Sequence, residues 1–265
     1  MTMDRADFFA AVRKSPFNGR LSVKQVEGME AILNAAPAGV SSAELAYVLA
    51  TAFHETAYKM QPIKEYGGSA YFMRMYDKTG DRPHVAEDLG NTEIGDGALF
   101  AGRGYVQLTG RRNYEHAGDK LGVDLVGNPD YAMIPETAAA VLWTGMIEGW
   151  FTGKKLSDYF SAGRSDFVNA RRIINGTDRA DLIASYARSF LAAIVTASGE
   201  RPVLRKDASG PDVVFLQERL VANGHRISTD GDFGPQTEAA VRNFQRLNEL
   251  TADGIVGANT WRTLL

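Results

Sequence analysis

The chain carries His54-Glu55-Thr56, then Glu65 ten residues later, then Gly102-Arg103-Gly104-Tyr105-Val106-Gln107-Leu108-Thr109. Two carboxyl groups are the minimum equipment for hydrolysing a glycosidic bond: one protonates the leaving oxygen while the other activates water or attacks. Glu55 closes an apolar run ending in Ala52-Phe53, so its carboxyl group is expected against aromatic surface and partly desolvated, the setting that a general acid needs. Taken alone, a glutamate at a helix end is more often a surface residue, and a lone His54 is more often a structural hydrogen-bonding histidine than a catalyst. A continuous helix would put Glu65 roughly 15 Å farther along its axis. Pro62 turns the chain instead, and a turn can bring Glu65 back across a cleft. Asp77, Asp81, Glu87 and Glu93 compete with it for the role of base.

Two glycines around Arg103 suggest a close backbone approach. Gln107, Thr109 and Asn113 follow at alternate spacing, as if one side of an extended segment presented amides and a hydroxyl. Amides both donate and accept, which suits sugar hydroxyls and N-acetyl groups. A hairpin whose polar side faces water fits the same pattern.

Rival chemistries lack their parts. There is no cysteine, hence no disulfide, thiol nucleophile or Cys-based metal site. The residue three after Glu55 is Tyr58 rather than the second histidine of a His-Glu-x-x-His metalloprotease. His54, His84 and His116 have no recognised zinc-ligand spacing, and His225 lies far downstream. No nucleophile elbow, P-loop or dinucleotide fingerprint occurs. The net charge of -3 carries no nucleic-acid footprint. No apolar run approaches the ~18 residues of a membrane span. The first ten residues, interrupted by Asp4 and Asp7, do not form a signal peptide.

The elements that must position these residues are mostly helical. The chain is 45% hydrophobic and 23% charged, ordinary for a protein that buries a core. Phe8, Phe9 and Val12 start one amphipathic helix, and Val23, Val26, Met29, Ile32 and Leu33 mark a second. Ser41 and Glu44 form a capping box that opens a third, leading to Glu55. Helices are also expected from Pro135 to Trp150, Phe167 to Ile174 and Leu182 to Ile194. Residues 61–112 read as loops with a short hairpin. A boundary falls at Ala197-Ser198-Gly199-Glu200-Arg201-Pro202. Beyond it, Asp-Gly-x-x-Gly-x-x-Thr occurs at Asp230 and again at Asp253, 23 residues apart. Each copy is a turn that starts a helix. Apolar stripes at Val213, Leu216 and Leu220 and at Ala240, Val241, Phe244 and Leu247 complete a three-helix module.

The combination of His54-Glu55-Thr56, Gly102–Thr109, Asn113-Tyr114 and Ile173-Ile174-Asn175-Gly176 resembles glycoside hydrolase family 19, in its compact endolysin branch, over about residues 4–197. The tail resembles the three-helix peptidoglycan-binding domain, especially at Asp230–Thr237 and Phe244-Gln245. The resemblance implies a mainly α protein: a lysozyme-like bilobal catalytic domain at 1–197, a linker at 198–206 and a peptidoglycan-binding domain at 207–265. It implies Glu55 as general acid, Glu65 as general base and Thr109 holding the attacking water, with inversion at the anomeric carbon. Gln107, Asn113, Asn175, Arg103 and Tyr114 are the implied sugar-binding residues. Leu182 falls where the family has an arginine, and Arg179 is the nearest replacement. The implied partner is bacterial peptidoglycan, cut at its β-1,4 bonds; chitin, or wall binding without catalysis, are the alternatives. No metal, cofactor, nucleic acid or membrane partner is expected, and the chain is expected to be a monomer. Without a signal peptide it is expected in a host cytoplasm until release, then in the periplasm on the wall.

Overall fold

A computed structural model of the chain describes residues 3–161, 164–198 and 201–264. Gly199 and Glu200 of the expected linker, and Met1 and Thr2 at the start, lie outside the described residues. The chain divides into two compact units, one of residues 9–194 and one of residues 1–8 with 195–265. The protein is mostly helical, as expected from its periodicity.

α1 (Arg5–Lys14) has residues in both units, and in the larger one α2 (Val23–Asn34) and α3 (Ser42–Glu55) come next. The Ser41 box forms: Glu44 accepts from the Ser41 amide at 2.9 Å, and Ser41 Oγ accepts from the Glu44 amide at 3.2 Å. Ser22 and Gln25 build a second box on α2. Val23 opens α2 and is 73% exposed, so the buried stripe begins later, at Met29, Ile32 and Leu33. On α3 every residue from Leu45 to Phe53 is buried. The helix therefore holds its C-terminal end, and Glu55 with it, rigidly against the core.

The chain leaves α3 through a left-handed turn. Ala57, Tyr58 and Met60 take φ of 48°, 68° and 53°. Buried Thr56 staples this turn: its hydroxyl donates to the Ala52 carbonyl at 2.7 Å and accepts from the Met60 amide at 3.0 Å. Gly28 on α2 makes room for it, because a Cβ there would lie 1.4 Å from the Met60 carbonyl oxygen. The redirected chain enters β1 (Ile63–Lys64), which pairs antiparallel with β2 (Arg103–Gly104), Ile63 opposite Gly104.

Between these strands the sequence suggests loops, and the structure instead has three short helices, α4 (Ser69–Tyr76), α5 (Pro83–Leu89) and α6 (Asp96–Leu99). They have too few turns to show a period. Buried polar residues tie them together. Asp77 accepts from Thr79, from the Gly95 amide at 2.8 Å and from the Gly97 amide at 3.3 Å. Asp96 takes two hydrogen bonds from Arg111, and Asn91 bridges the Tyr76 carbonyl to the Arg111 amide.

Then come α7 (Arg111–Leu121) and α8 (Pro135–Glu148), the small pair β3 (Phe160–Ser161) and β4 (Arg164–Ser165), and α9 (Ala180–Ala197). The segment expected as a helix from Phe167 to Ile174 is a short 3-10 turn, Asn169–Ile173. By length and composition alone α9 could cross a membrane. It nevertheless carries Asp181 and Arg188 and buries Ile183, Ala184, Ala187, Phe190 and Ile194, which makes it a core helix.

The C-terminal residues form α10 (Pro211–Ala222), α11 (Pro235–Leu247) and α12 (Ala258–Leu264). Val213, Leu216, Leu220, Ala240, Val241 and Phe244 are core, whereas Leu247 in the last turn of α11 is 72% exposed. The repeated turn has a partner that its own sequence does not contain. Gln217 donates to Asp230, to the Asp232 carbonyl and to Thr237, and accepts from the Gly231 amide. Gln245 does the same with Asp253, the Ile255 carbonyl, Thr260 and the Gly254 amide. Each glutamine is 1% exposed, so removing one strands several buried polar groups. Gln217→Leu is expected to destabilise this module by about 3 kcal/mol. Hydrogen exchange of the full chain measures it, with protection falling in α10 and α11 and unchanged in α3.

Candidate functional site

Glu65 leaves β1 with both ends of the residue tied to Gly102. Its amide donates to the Gly102 carbonyl at 2.8 Å, and its carboxylate Oε2 accepts from the Gly102 amide at 3.2 Å. Oε1 accepts from the Tyr76 hydroxyl at 2.7 Å. Burial pushes the Tyr76 phenol well up, and the bond to Glu65 adds to it, so this hydroxyl stays a donor.

Gly102 has no room for a side chain. A Cβ there would lie 2.8 Å from Gln107 Oε1, 3.1 Å from Glu65 Oε2 and 3.1 Å from Thr109 Oγ1. A carboxylate, an amide oxygen and a hydroxyl thus converge on one spot. Gln107 turns the chain there with φ 54°. Its amide nitrogen is held by the Ile63 carbonyl at 3.0 Å, and the Thr109 hydroxyl donates to the Gln107 carbonyl at 2.9 Å. Such a group of acceptors can receive both protons of a water molecule.

The four rival carboxylates have other work. Asp77 is fully buried. Burial alone would raise its pKa, but the bonds from Thr79, Gly95 and Gly97 outweigh that and hold it below the usual carboxylate range. Asp81 pairs with Arg74, Glu93 pairs with Lys78, and Glu87 is exposed on α5. Of the five, Glu65 is the one that reaches Gly102.

Glu55 has a cationic partner that the sequence expectation did not include. Its Oε1 accepts from Arg171 Nη1 at 2.5 Å. The Arg171 side chain is 4% exposed against 21% for Glu55, and Arg171 Nε donates to the Asp178 carbonyl at 3.0 Å. Beside it burial lowers the pKa of His54 and outweighs the opposite pull of Glu55, so the imidazole is neutral near pH 7. Arg171 is the functional candidate that the sequence reading missed. The sequence carries no signal that singles it out, because Arg172 beside it is charged as well and is exposed. Arg179, the replacement expected from sequence, is exposed at φ 58°.

Two of the expected sugar contacts are not on the surface. Arg103 is 4% exposed and donates to Asp130, to the Leu99 and Ala101 carbonyls and to the Tyr114 hydroxyl. Tyr114 is fully buried and donates to the same Ala101 carbonyl. These bonds turn both side chains away from any sugar, so they support the Gly102 segment from beneath. The extended polar ladder is also corrected: Gln107 sits in a left-handed turn and Asn113 in the first turn of α7. Gln107, Thr109 and Asn113 nonetheless line one pocket of about 430 Å³ together with Trp150, Phe151 and Ile174. Asn175 follows Ile174, is exposed, and is fixed by its amide on the Arg171 carbonyl at 3.0 Å. No group of three or more potential metal ligands occurs among the described residues.

The family model described as Chitinase class I matches residues 23–158, half of the chain and the whole Glu55, Glu65 and Thr109 region. The chain belongs to that family, glycoside hydrolase family 19. Residues 209–264 match a second model, a putative peptidoglycan binding domain. Chitinase 8 of Oryza sativa subsp. japonica is 47% identical over 55 residues, 21% of this chain and 20% of that protein. The spore cortex-lytic enzyme of Bacillus cereus is 45% identical over 64 residues, 24% of this chain and 25% of that protein. The chain thus spans a quarter or less of the length of these curated relatives. The crystal structure of chitinase C from Streptomyces griseus HUT6037 covers 75% of this chain and 77% of its own, at 23% identity and a TM-score of 0.50, a likeness of fold.

Two substitutions test this family 19 site. Gly102→Ala pushes three site atoms apart by tenths of an ångström or more; glycan turnover is expected to fall about 100-fold, with the melting temperature within a few degrees of wild type. Arg171→Gln leaves Glu55 without its cation; turnover is expected to fall by at least about tenfold, with Arg171→Lys recovering part of it. Steady-state rates on a soluble glycan, alongside circular dichroism melts, check both.

Proposed function

We propose that the chain is a cell-wall lytic glycoside hydrolase that cleaves the β-1,4 glycan of bacterial peptidoglycan by a single displacement with inversion. The observation that carries this reading is the convergence of Glu65, Gln107 and Thr109 at Gly102 in a chain that also matches a peptidoglycan-binding module. In this mechanism Glu65 is the general base. It takes a proton from a water held by the Thr109 hydroxyl and the Gln107 amide oxygen, and the water attacks the anomeric carbon from the face opposite the leaving group. Glu55 is the general acid and gives its proton to the departing glycosidic oxygen. Arg171 orients Glu55 and, after proton transfer, stabilises the carboxylate that forms. The exposed amides of Asn113 and Asn175 suit the hydroxyls and acetamides of the sugars.

The C-terminal module acts as a tether. Holding the hydrolase on an insoluble wall raises its local concentration over the glycan even when the module alone binds weakly. This arrangement fits a phage endolysin of the lysozyme type, made in a host cytoplasm, released through a membrane lesion and acting in the periplasm as a monomer. A chitinase is the second reading, favoured by the family and by the rice relative.

Glu55→Gln and Glu65→Gln are each expected to lower wall clearance about 100- to 10,000-fold, the worth of general acid–base catalysis. Mass spectrometry of the ends released from purified peptidoglycan decides between the readings. Reducing muramic acid ends support the muramidase, reducing N-acetylglucosamine ends make it a glucosaminidase, and release from chitin alone makes it a chitinase. Proton NMR of the first products should show the α anomer; a β anomer would overturn the inverting mechanism.

A further inference from the structure

The pocket that Gln107, Thr109 and Asn113 line has an apolar wall beside its polar groups. Val106 and Leu108 line it at 7% and 5% exposure, with Trp150, Phe151 and Ile174. Trp150 is locked in place: its indole N–H donates to Glu148 Oε2 at 2.9 Å, and its ring meets His116 edge-on with centroids 5.0 Å apart. At the same pocket lies Arg112, exposed on the first turn of α7. One guanidinium nitrogen of Arg112 donates to the Glu87 carbonyl at 2.9 Å, and no carboxylate lies within ion-pair distance of it among the described residues. Its neighbour Arg111, by contrast, is fully committed to Asp96. The stem of Arg112 is seated by Gly90, where a Cβ would lie 2.6 Å from Arg112 Cβ.

A glycan of unbranched N-acetylglucosamine is neutral, and its polar groups are hydroxyls and acetamides. Its C–H faces and acetamide methyls suit an aromatic and aliphatic wall, but nothing in it calls for an unpaired guanidinium beside that wall. Peptidoglycan differs in one respect: alternate sugars carry a lactyl ether joined to a short peptide, with methyl groups close to the ring and free carboxylates farther out. Methyl groups match the wall of the pocket by burial, and a carboxylate matches Arg112 through a charge-assisted, bidentate hydrogen bond. The volume of about 430 Å³ lies in the ordinary range of small-ligand sites, about 300–1,000 Å³.

We infer that this pocket is a specificity site for the carboxylate-bearing lactyl-peptide branch of a muramoyl residue, with Arg112 as its anion-binding group. The branch docks beside Thr109, so the sugar that bears it is presented in register with Glu65. The inference rests on the wall-hydrolase reading, and the experiment separates the two.

Soluble peptide-bearing glycan strands are prepared from peptidoglycan in two forms, with their carboxylates free and with the same carboxylates converted to methylamides. Wild type, Arg112→Lys and Arg112→Glu are compared on both in the full chain. Arg112 is exposed, so the variants are expected to fold. On strands with free carboxylates Arg112→Glu should lower kcat/KM about tenfold or more, mainly through KM, while Arg112→Lys stays within a few-fold. On methylamidated strands all three proteins should agree. Equal loss on both substrates, or no loss on strands with free carboxylates, overturns the specificity site while leaving the wall-hydrolase reading intact. A wild type that cuts neither strand but cuts chitin oligosaccharides overturns the wall-hydrolase reading itself.

Discussion

A side chain at position 102 would fill the space in which the candidate base, a hydroxyl and an amide oxygen meet, and much of the larger unit serves to keep that space open. Glu65 and Gly102 bond each other twice, once through backbone and once through the carboxylate. Those bonds require β1 and β2 to run side by side, which in turn requires the chain to reverse after α3. Thr56 makes that reversal, and Gly28 lets α2 lie against it. Beneath the strand, Arg103 and Tyr114 share the Ala101 carbonyl and hold the backbone from the core side. A buried guanidinium tied to several acceptors is a rigid object: moving it would break several charge-assisted bonds at once.

Glu55 poses the opposite electrostatic problem. It sits at the C-terminal end of a helix, where the backbone dipole is negative. Arg171 supplies a positive charge beside it. Because Arg171 is itself buried, losing Glu55 would leave its guanidinium in the interior without that acceptor. The same residue accepts from the Asn175 amide. The candidate acid and a candidate sugar contact are therefore positioned by one short turn, Asn169–Ile173.

Much of this was legible in the sequence, and its failures have a common cause. Helices long enough to show a period, capping boxes, the domain order and the doubled Asp-Gly turn arise from local chemistry. The resemblance pointed to Glu55, Glu65 and Thr109 as candidates, and the structure brings Glu65 and Thr109 within reach of one point. What spacing does not carry is which way a polar side chain faces. Arg103, flanked by glycines, reads as a ligand contact and is instead part of the core. Arg171 reads as one residue of a helix and is instead the partner of Glu55, 116 positions away. Residues 61–112 read as loops because Asp77, Asn91 and Asp96, which organise them, look like ordinary surface residues until their burial is known.

The two units use buried polar groups in the same way for different ends. In the C-terminal module Gln217 and Gln245 each satisfy a turn that the hydrophobic pattern alone could not close, and they do it twice with the same geometry. Each glutamine amide there is met by acceptors on the turn that it closes. In the larger unit the equivalent fixing groups, Arg103, Asp77 and Asp96, support a place where acceptors are left facing one another around Gly102. A cluster of acceptors is unfavourable by itself, since like dipoles repel and each wants a donor. It persists because the backbone around it is tied on every side. The proposed reading, a tethered hydrolase, gives that contrast a use: the tether needs only shape, while the catalytic unit needs stored polarity that a water or substrate can relieve.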